Sequence, residues 1–457
     1  MIQGGRGVIR TFLEKRGYRS VPEDFYGKIE EWKDWYINGT DKMHIRTVYN
    51  GKTVVKQEIK SLGMAKTVAE TWANLLMNEK VQINVGNEHS NDVLHDILKA
   101  NKFQTNANRL CELYCALGTG AFVEYIGNDE VQIDYIQADL IFPITWSSKG
   151  VEECAFGSVI RYMNQDCIYI QMHIKEKGQY IIENHILGLE GQGCKEMELP
   201  FGVEQIINTG SKTPLFQILK PNIVNNADES LSLPMGISVY GNATDILMEV
   251  DTAFDALDTE INTGRRIIFL QAAGFQTDSE GITHNMIGDH ETIFRSVGDA
   301  DEDGKAMVHD FSPALRISEI NQAIQMQLNL LSEKCGMGTN QFEFTLKGVK
   351  TATEVISEDS DMYSNLKKHE IILGEALENM IEAISFLSGK IGNPMEIDEI
   401  TIDFDDSIIE DKATERKQDQ ADLANGTLRP EEYRAKWRNE TIEEAAKNLP
   451  QSADVME

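Results

Sequence analysis

Two short stretches hold the residues best suited to chemistry. Asp299-Ala300-Asp301-Glu302-Asp303-Gly304 has the carboxylate spacing of the first half of an EF-hand calcium loop. Such a loop needs a bidentate Glu at its twelfth position and a helix on each side. Here the twelfth position is Asp310, and Phe311-Ser312-Pro313 cuts the exiting helix short, so the stretch is read as an acidic surface loop. The second stretch is Lys347-Gly348-Val349-Lys350, a small basic loop at the head of what reads as the longest helix. Two amines in a loop can serve solubility alone. What else they could meet depends on the elements that carry them.

Other chemistries find no residues to carry them. There is no HExxH, no CxxC and no paired His/Cys spacing, so no metal site is expected. There is no G-x-S-x-G nucleophile elbow and no GxxxxGK[ST] phosphate loop. Leu117-Gly-Thr-Gly-Ala-Phe122 is a glycine turn before a strand, not a dinucleotide fingerprint. Carboxylates are abundant, but no spacing pairs two of them for acid/base work. No enzyme activity and no cofactor are expected.

The balance of charge limits the partners. The 457 residues hold 43 Lys+Arg against 74 Asp+Glu, a formal charge of −31. Such a surface repels phosphate over roughly 8–10 Å at physiological salt. A sequence-specific DNA binder carries a basic patch instead. Of the six cysteines, Cys111 and Cys115 would share a helix face, and free thiols in a reducing compartment are expected. The opening residues lack the apolar run of a signal peptide, and no stretch approaches the ~20 apolar residues of a membrane span. Synthesis in a cytoplasm is expected.

The elements follow from periodicity. Residues 21–39 put Phe25, Ile29, Trp32 and Trp35 on one helical stripe. Val68, Trp72, Leu75 and Leu76 mark a second helix, followed by a strand at "KVQINV". A single helix is expected over about 90–117, then a strand, a Gly-Asn-Asp turn and a strand. Residues 132–220 alternate as antiparallel strands. From Gly236 a long helix carries Val239, Ala243, Leu247, Val250, Phe254 and Leu257 on one stripe. Its opposite face carries Asp245, Glu249, Asp251, Asp255, Asp258 and Glu260, with no basic residue before Arg265 and Arg266. Like charges one turn apart repel by a few tenths of a kcal/mol each. Another helix is expected over Ile317–Met337 and a very long one from about Ala352 to Leu387. Thr351-x-x-Glu354 is a capping box that starts the long helix. A strand is expected after Pro394, then two or three short helices, with starts at Thr427 and Thr441 and an end at Gly426. The fold class expected is α+β, mainly helical.

The order of these elements is informative. "KTVAETWANLLMNEKVQI", "LGTGAFVEYI", "GISVYGNATDILMEVDTAFDALDTEI", "KTATEVISEDSDMYSNLKKHE" and "FDDSIIEDKATERKQDQADLANGTLRPEEYRAKW" together resemble the portal proteins of long-tailed double-stranded DNA bacteriophages. The resemblance runs from about residue 55 to 445, and the N-terminal twenty residues have no clear counterpart in it. It implies a ring, usually of twelve subunits, around a central channel at one capsid vertex of the virion. DNA would enter and leave through that channel. The terminase large subunit would dock during packaging, and head-completion or adaptor proteins afterwards, beside major capsid and scaffolding proteins. By position, the resemblance implies a wing over 1–235, a first stem helix over 236–264 and a clip over 265–316. It further implies a second stem helix over 317–337, a tunnel loop over 338–350, a long helix returning to the wing over 351–409, and a short crown over 410–457.

Within that frame the charges acquire a purpose. A ring would repeat the face of Asp245, Glu249, Asp255 and Asp258 as a negative channel wall. DNA carries one charge per ~1.7 Å of axis, so a basic wall would hold it fast. Lys347 and Lys350, with Gly348, would be the exception, touching phosphates briefly without reading bases. The alternatives are another head–tail connector or minor capsid protein, or a nucleic-acid enzyme with carboxylate-held Mg²⁺.

Overall fold

The computed structural model describes residues 2–448 apart from 40–43, 50–52, 79–80, 189–194, 201, 230, 265–266, 271–274, 278–282, 286–292, 297–307, 312–313, 344–351, 405–411 and 439–441. Helices take about 46% of the chain and strands about 25%. It is therefore a mixed α and β protein, with more strand than "mainly helical" implies.

The chain opens with α1 (Ile2–Lys15) and α2 (Glu23–Tyr36), then the hairpin β1 (Ile45–Tyr49) and β2 (Val54–Glu58). Next come α3 (Met64–Leu76), β3 (Gln82–Val85), α4 (Glu88–Ala100) and α5 (Phe103–Leu117). The single helix expected over 90–117 is thus two. Lys102 turns left-handed at φ 49°, and the Asn101 side chain leaves the helix. Its amide donates to the Ile97 and Val131 carbonyls at 2.9 and 2.8 Å, and its oxygen accepts from Ile133 N–H at 2.9 Å.

Strands β4 (Gly120–Gly127) and β5 (Glu130–Gln137) turn through Asn128-Asp129, both at positive φ, as the turn residues require. Then follow β6 (Ile141–Ser147), β7 (Gly150–Tyr162), β8 (Gln165–Glu176), β9 (Gln179–Gly188), β10 (Lys195–Met197), β11 (Ile206–Asn208) and β12 (Phe216–Leu219). Strands β6 to β10 pair antiparallel in chain order, with β11 also on β9. Strands β12, β4 and β5 form a second sheet. The expected antiparallel segment is present.

Helix α6 (Thr244–Thr263) leads into β13 (Ile267–Leu270), β14 (Phe275–Thr277), β15 (Thr283–Asn285), β16 (Ile293–Ser296) and β17 (Val308–Phe311). Strand β13 lies between β16, parallel, and β17, antiparallel. Asp310 pairs with Ile268 in that sheet, so a strand stands where an EF-hand would start its exiting helix. The chain returns through α7 (Ile317–Lys334) and α8 (Ala352–Lys390), a helix of 39 residues. It ends with β18 (Ile400–Asp403), antiparallel to β3, and with α9 (Lys412–Asn425), α10 (Pro430–Arg438) and α11 (Ile442–Asn448). Gly426 ends α9 as expected, but Thr427 also belongs to that end: its hydroxyl donates to Asp422 O at 2.9 Å. Helix α10 starts instead at Pro430, suited to a first turn, with Glu432 accepting from Arg429 N–H at 3.0 Å.

One apolar core joins α2, α3, α5, α8 and the two large sheets. Trp72 of α3 is fully buried, and its indole N–H donates to Cys335 O at 3.1 Å, tying α3 to the end of α7. The His369 ring of α8 meets Trp72 edge-on at 4.8 Å, and its Nδ1 accepts from Asn222 N–H at 2.9 Å. The α1 helix covers the β7–β8 face: a Cβ on Gly157 would sit 2.6 Å from Ile9 Cδ1. Buried Arg6 donates to Tyr26 O at 3.2 Å and pairs with Glu30.

Burial shifts the titration of two core groups, Glu124 and His173, in opposite directions. Glu124 of β4 is buried, and burial pushes its carboxyl up to about 8, only partly offset by Gln217 and its own backbone N–H. His173 of β8, between the Phe156 and Phe216 rings, is pushed down by burial to about 3. Their pH effects oppose each other. The folded chain keeps a proton on Glu124 that the unfolded chain loses above 4.5, so stability falls from pH 4.5 to about 8. The folded chain refuses His173 a proton that the unfolded chain gains below 6.5, so stability falls again as pH drops from 6.5 to about 3. The variant Glu124→Gln is expected to melt several degrees higher than the parent at pH 8, with little gain at pH 4.5. Thermal melts across that range check this; an equal shift at both pH values would contradict it.

Candidate functional site

The acidic face of α6 is the natural place to begin. The helix starts at Thr244, eight residues later than Gly236, because the chain before it caps another helix. The N–H of Val239 donates to Cys115 O at 2.9 Å, and the Ser238 hydroxyl to the same oxygen at 3.4 Å. These groups satisfy a carbonyl that the end of α5 leaves open. Gly236 N–H donates to Thr119 Oγ1 at 3.0 Å. Gly118 ends α5 at φ 83°, where a Cβ would lie 2.6 Å from Gly236 O. The glycine turn of "LGTGAF" and the glycine of "GISVYG" are therefore two halves of one backbone crossing, and its backbone groups are spent before the helix begins.

Helix α6 divides its acids into two rows. Asp245 and Glu249 are exposed. Asp251 and Asp255 are only 3% exposed each and turn toward the β1–β2 hairpin. Asp251 takes the Leu62 N–H on Oδ1 at 2.7 Å and the Ser61 hydroxyl on Oδ2 at 2.8 Å. His44 Nε2 also lies 2.7 Å from Oδ2, with the edge of Trp35 5.2 Å from its ring. Asp255 accepts from Lys60 N–H at 3.2 Å and stands 2.8 Å from the Arg46 guanidinium. Asp258 meets Lys60 Nζ at 2.8 Å.

This corrects the uniform acidic face. Asp255 is not exposed, Asp258 is ion-paired, and the relief missing from the helix itself comes from residues some two hundred positions earlier. His44, Asp251, Arg46 and Lys60 were not recognised as a unit. No local signal marks them, because a carboxylate on a helix looks the same whether it meets water or a distant backbone.

The far end of α6 is closed as firmly. Arg316, just before α7, donates through Nη2 to Glu260 Oε2 at 2.7 Å and through its backbone N–H to Oε1 at 3.0 Å. The guanidinium holds the Glu260 carboxyl below its usual range, and Glu260 in turn raises Arg316. A Cβ on Gly264 would strike Leu315 Cδ2. The excursion that carries β13 to β17 thus leaves and re-enters the body at one narrow neck.

Lys347, Gly348, Lys350 and Thr351 lie outside the described residues. Glu354 falls within α8, but its side chain is outside them too. The root of that loop is well held. Helix α7 stops at Gly336, φ 77°, with Gly336 N–H on Glu333 O at 3.0 Å and Met337 N–H on Ser332 O at 2.9 Å. Asn365 of α8 donates to Gly336 O at 3.1 Å, and the Ser332 hydroxyl to Gly338 O at 2.5 Å. Among the described residues, five cysteines are buried and free, and no His/Cys/Asp/Glu group has metal-binding geometry. No described helix is long and apolar enough to cross a membrane.

The chain matches the family of the phage portal protein, SPP1 Gp6-like, over residues 21–449, and it belongs to that family. None of the curated proteins matches it. Its function is that of a bacteriophage portal, a capsid component that serves genome packaging. Portal proteins are structural, not enzymes.

The anchoring row yields a prediction. Asp251→Ala leaves the Leu62 N–H and the Ser61 hydroxyl without their acceptor, at a cost of about 3 kcal/mol. Asp245→Ala, on the exposed row, should stay within ~0.5 kcal/mol. Amide exchange is expected to accelerate over residues 44–63 in Asp251→Ala and to stay unchanged in α3 and α5. Unaltered protection of 44–63 would show that Asp251 does not hold the hairpin.

Proposed function

We propose that copies of this chain close head to tail into a ring, of twelve by the family resemblance, around a channel for double-stranded DNA. Family membership over residues 21–449 supports this reading. The structural observation that carries it is the division of α6, whose inner acids are occupied while Asp245 and Glu249 remain exposed. On this reading α6 is the first stem helix, within 236–264, and α7 the second, within 317–337. Residues 265–316 form the clip, where the terminase large subunit docks and head-completion or adaptor proteins replace it. Residues 338–350 form the tunnel loop, 351–409 the long helix and its return, 410–457 the crown and 1–235 the wing, which meets major capsid and scaffolding proteins.

The electrostatics suit a conduit. Repeated around a ring, Asp245 and Glu249 make a wall that does not retain phosphate. Lys347 and Lys350 of each subunit then bring basic groups to the constriction, able to meet the duplex backbone as it passes without reading bases.

The double variant Lys347→Glu, Lys350→Glu tests this. Its mass by light scattering should equal that of the assembled parent, near a dozen subunits, while the amount of DNA packaged or retained falls. Unchanged packaging would remove these lysines from the mechanism. A parent protein that stays monomeric alone and with capsid or scaffolding protein would overturn the ring.

A further inference from the structure

We propose that the β1–β2 hairpin of one subunit docks on the outward face of α7 in the neighbouring copy of the chain. The inference rests on the ring reading and names the surfaces that would join its subunits. A head-to-tail ring needs two different patches on each subunit that fit one another. The described surface offers such a pair.

The first patch is the hairpin. An isolated two-stranded hairpin is marginal in water without something to cover it. Here every residue of β2 is exposed, Val54 at 66%, with Val55 and Ile45 also exposed. Among the described residues β1 and β2 pair only with each other. The body holds the hairpin at its root, through Asp251 and Asp255. The segment is also basic in an acidic chain: residues 45–60 contain Arg46, Lys52, Lys56 and Lys60 against Glu58. Arg46 and Lys60 meet α6 carboxylates, and no carboxylate partner is seen for Lys56 among the described residues.

The second patch lies on α7. Its buried stripe runs through Ile324, Leu328 and Leu331 toward the core. The opposite line, at helical spacing, is Glu319, Ala323, Met326, Leu330 and Glu333, all exposed, with Met326 at 63%. An outward face should be polar throughout; this one places Ala, Met and Leu between two glutamates. Helices α6 and α7 pack on each other, so this line points away from the helix to which the subunit's own hairpin is tied. A second copy can bring the complement: Val54 and Val55 over Met326 and Leu330, with the Lys56 amine toward a flanking glutamate. The basic arm would also be where two subunits of charge −31 can approach.

The test pairs Val54→Cys with Met326→Cys in one chain, under mild oxidation, with light scattering on the same samples. Disulfides form only where Cβ atoms come within about 4.5 Å. The expected result is a ladder of covalent multimers from the double variant, absent from the parent and from each single variant. An assembled double variant with no ladder overturns the docking and leaves the ring intact. Cross-linking by Val54→Cys alone overturns it too, because the hairpins would then meet each other. A parent that never leaves the monomer mass overturns the ring and this pairing together. As an independent readout, Met326→Asp should shift the assembly toward smaller masses without lowering the melting point of the monomer; an unchanged mass distribution contradicts the docking.

Discussion

A buried carboxylate on a helix must be satisfied or it destabilises the helix, and Asp251 meets this constraint with backbone and side chains from a segment two hundred residues away. Much of the surface geometry around the helix pair follows from that bond. With Asp251 and Asp255 committed to residues 44–62, α6 can turn only one row of acids outward. The same bonds fix where the β1–β2 hairpin emerges and therefore what it can reach. The carboxylates that looked like one repulsive surface are two sets with different tasks, one structural and one exposed.

The rest of the helix pair is fixed at its ends. At one end the Gly118–Gly236 crossing brings two backbones closer than any side chain would allow. At the other, Glu260 and Arg316 close the neck below the β13–β17 excursion. In the core, Trp72 links α3, α7 and α8.

Much of this was legible in the sequence, for identifiable reasons. The stripes of Phe25, Ile29 and Trp32 and of Val68 and Trp72 are local periodicities, and both became buried helix faces. The Gly426 stop and the Asn128-Asp129 turn are backbone conformations that few residues adopt, so they too could be read locally. What was missed is non-local. The break at Lys102 exists because Asn101 reaches a strand thirty residues on. The late start of α6 exists because Val239 caps α5. The pairing of Asp251 with His44 spans 207 residues. Periodicity reports which face of a helix is apolar, but not which of its polar residues will find a partner. The acidic face of α6 was therefore visible as a face, and its division was not.

The central claim is that the exposed acids of α6 line a channel at the axis of a ring. A cryo-electron microscopy reconstruction of the assembled protein tests it most directly. The account predicts an open ring in which Asp245 and Glu249 are the α6 residues nearest the axis, while Asp251 and Asp255 remain covered by their own subunit's hairpin. A ring with α6 on its outer rim, or with Asp245 and Glu249 buried between subunits, would contradict it.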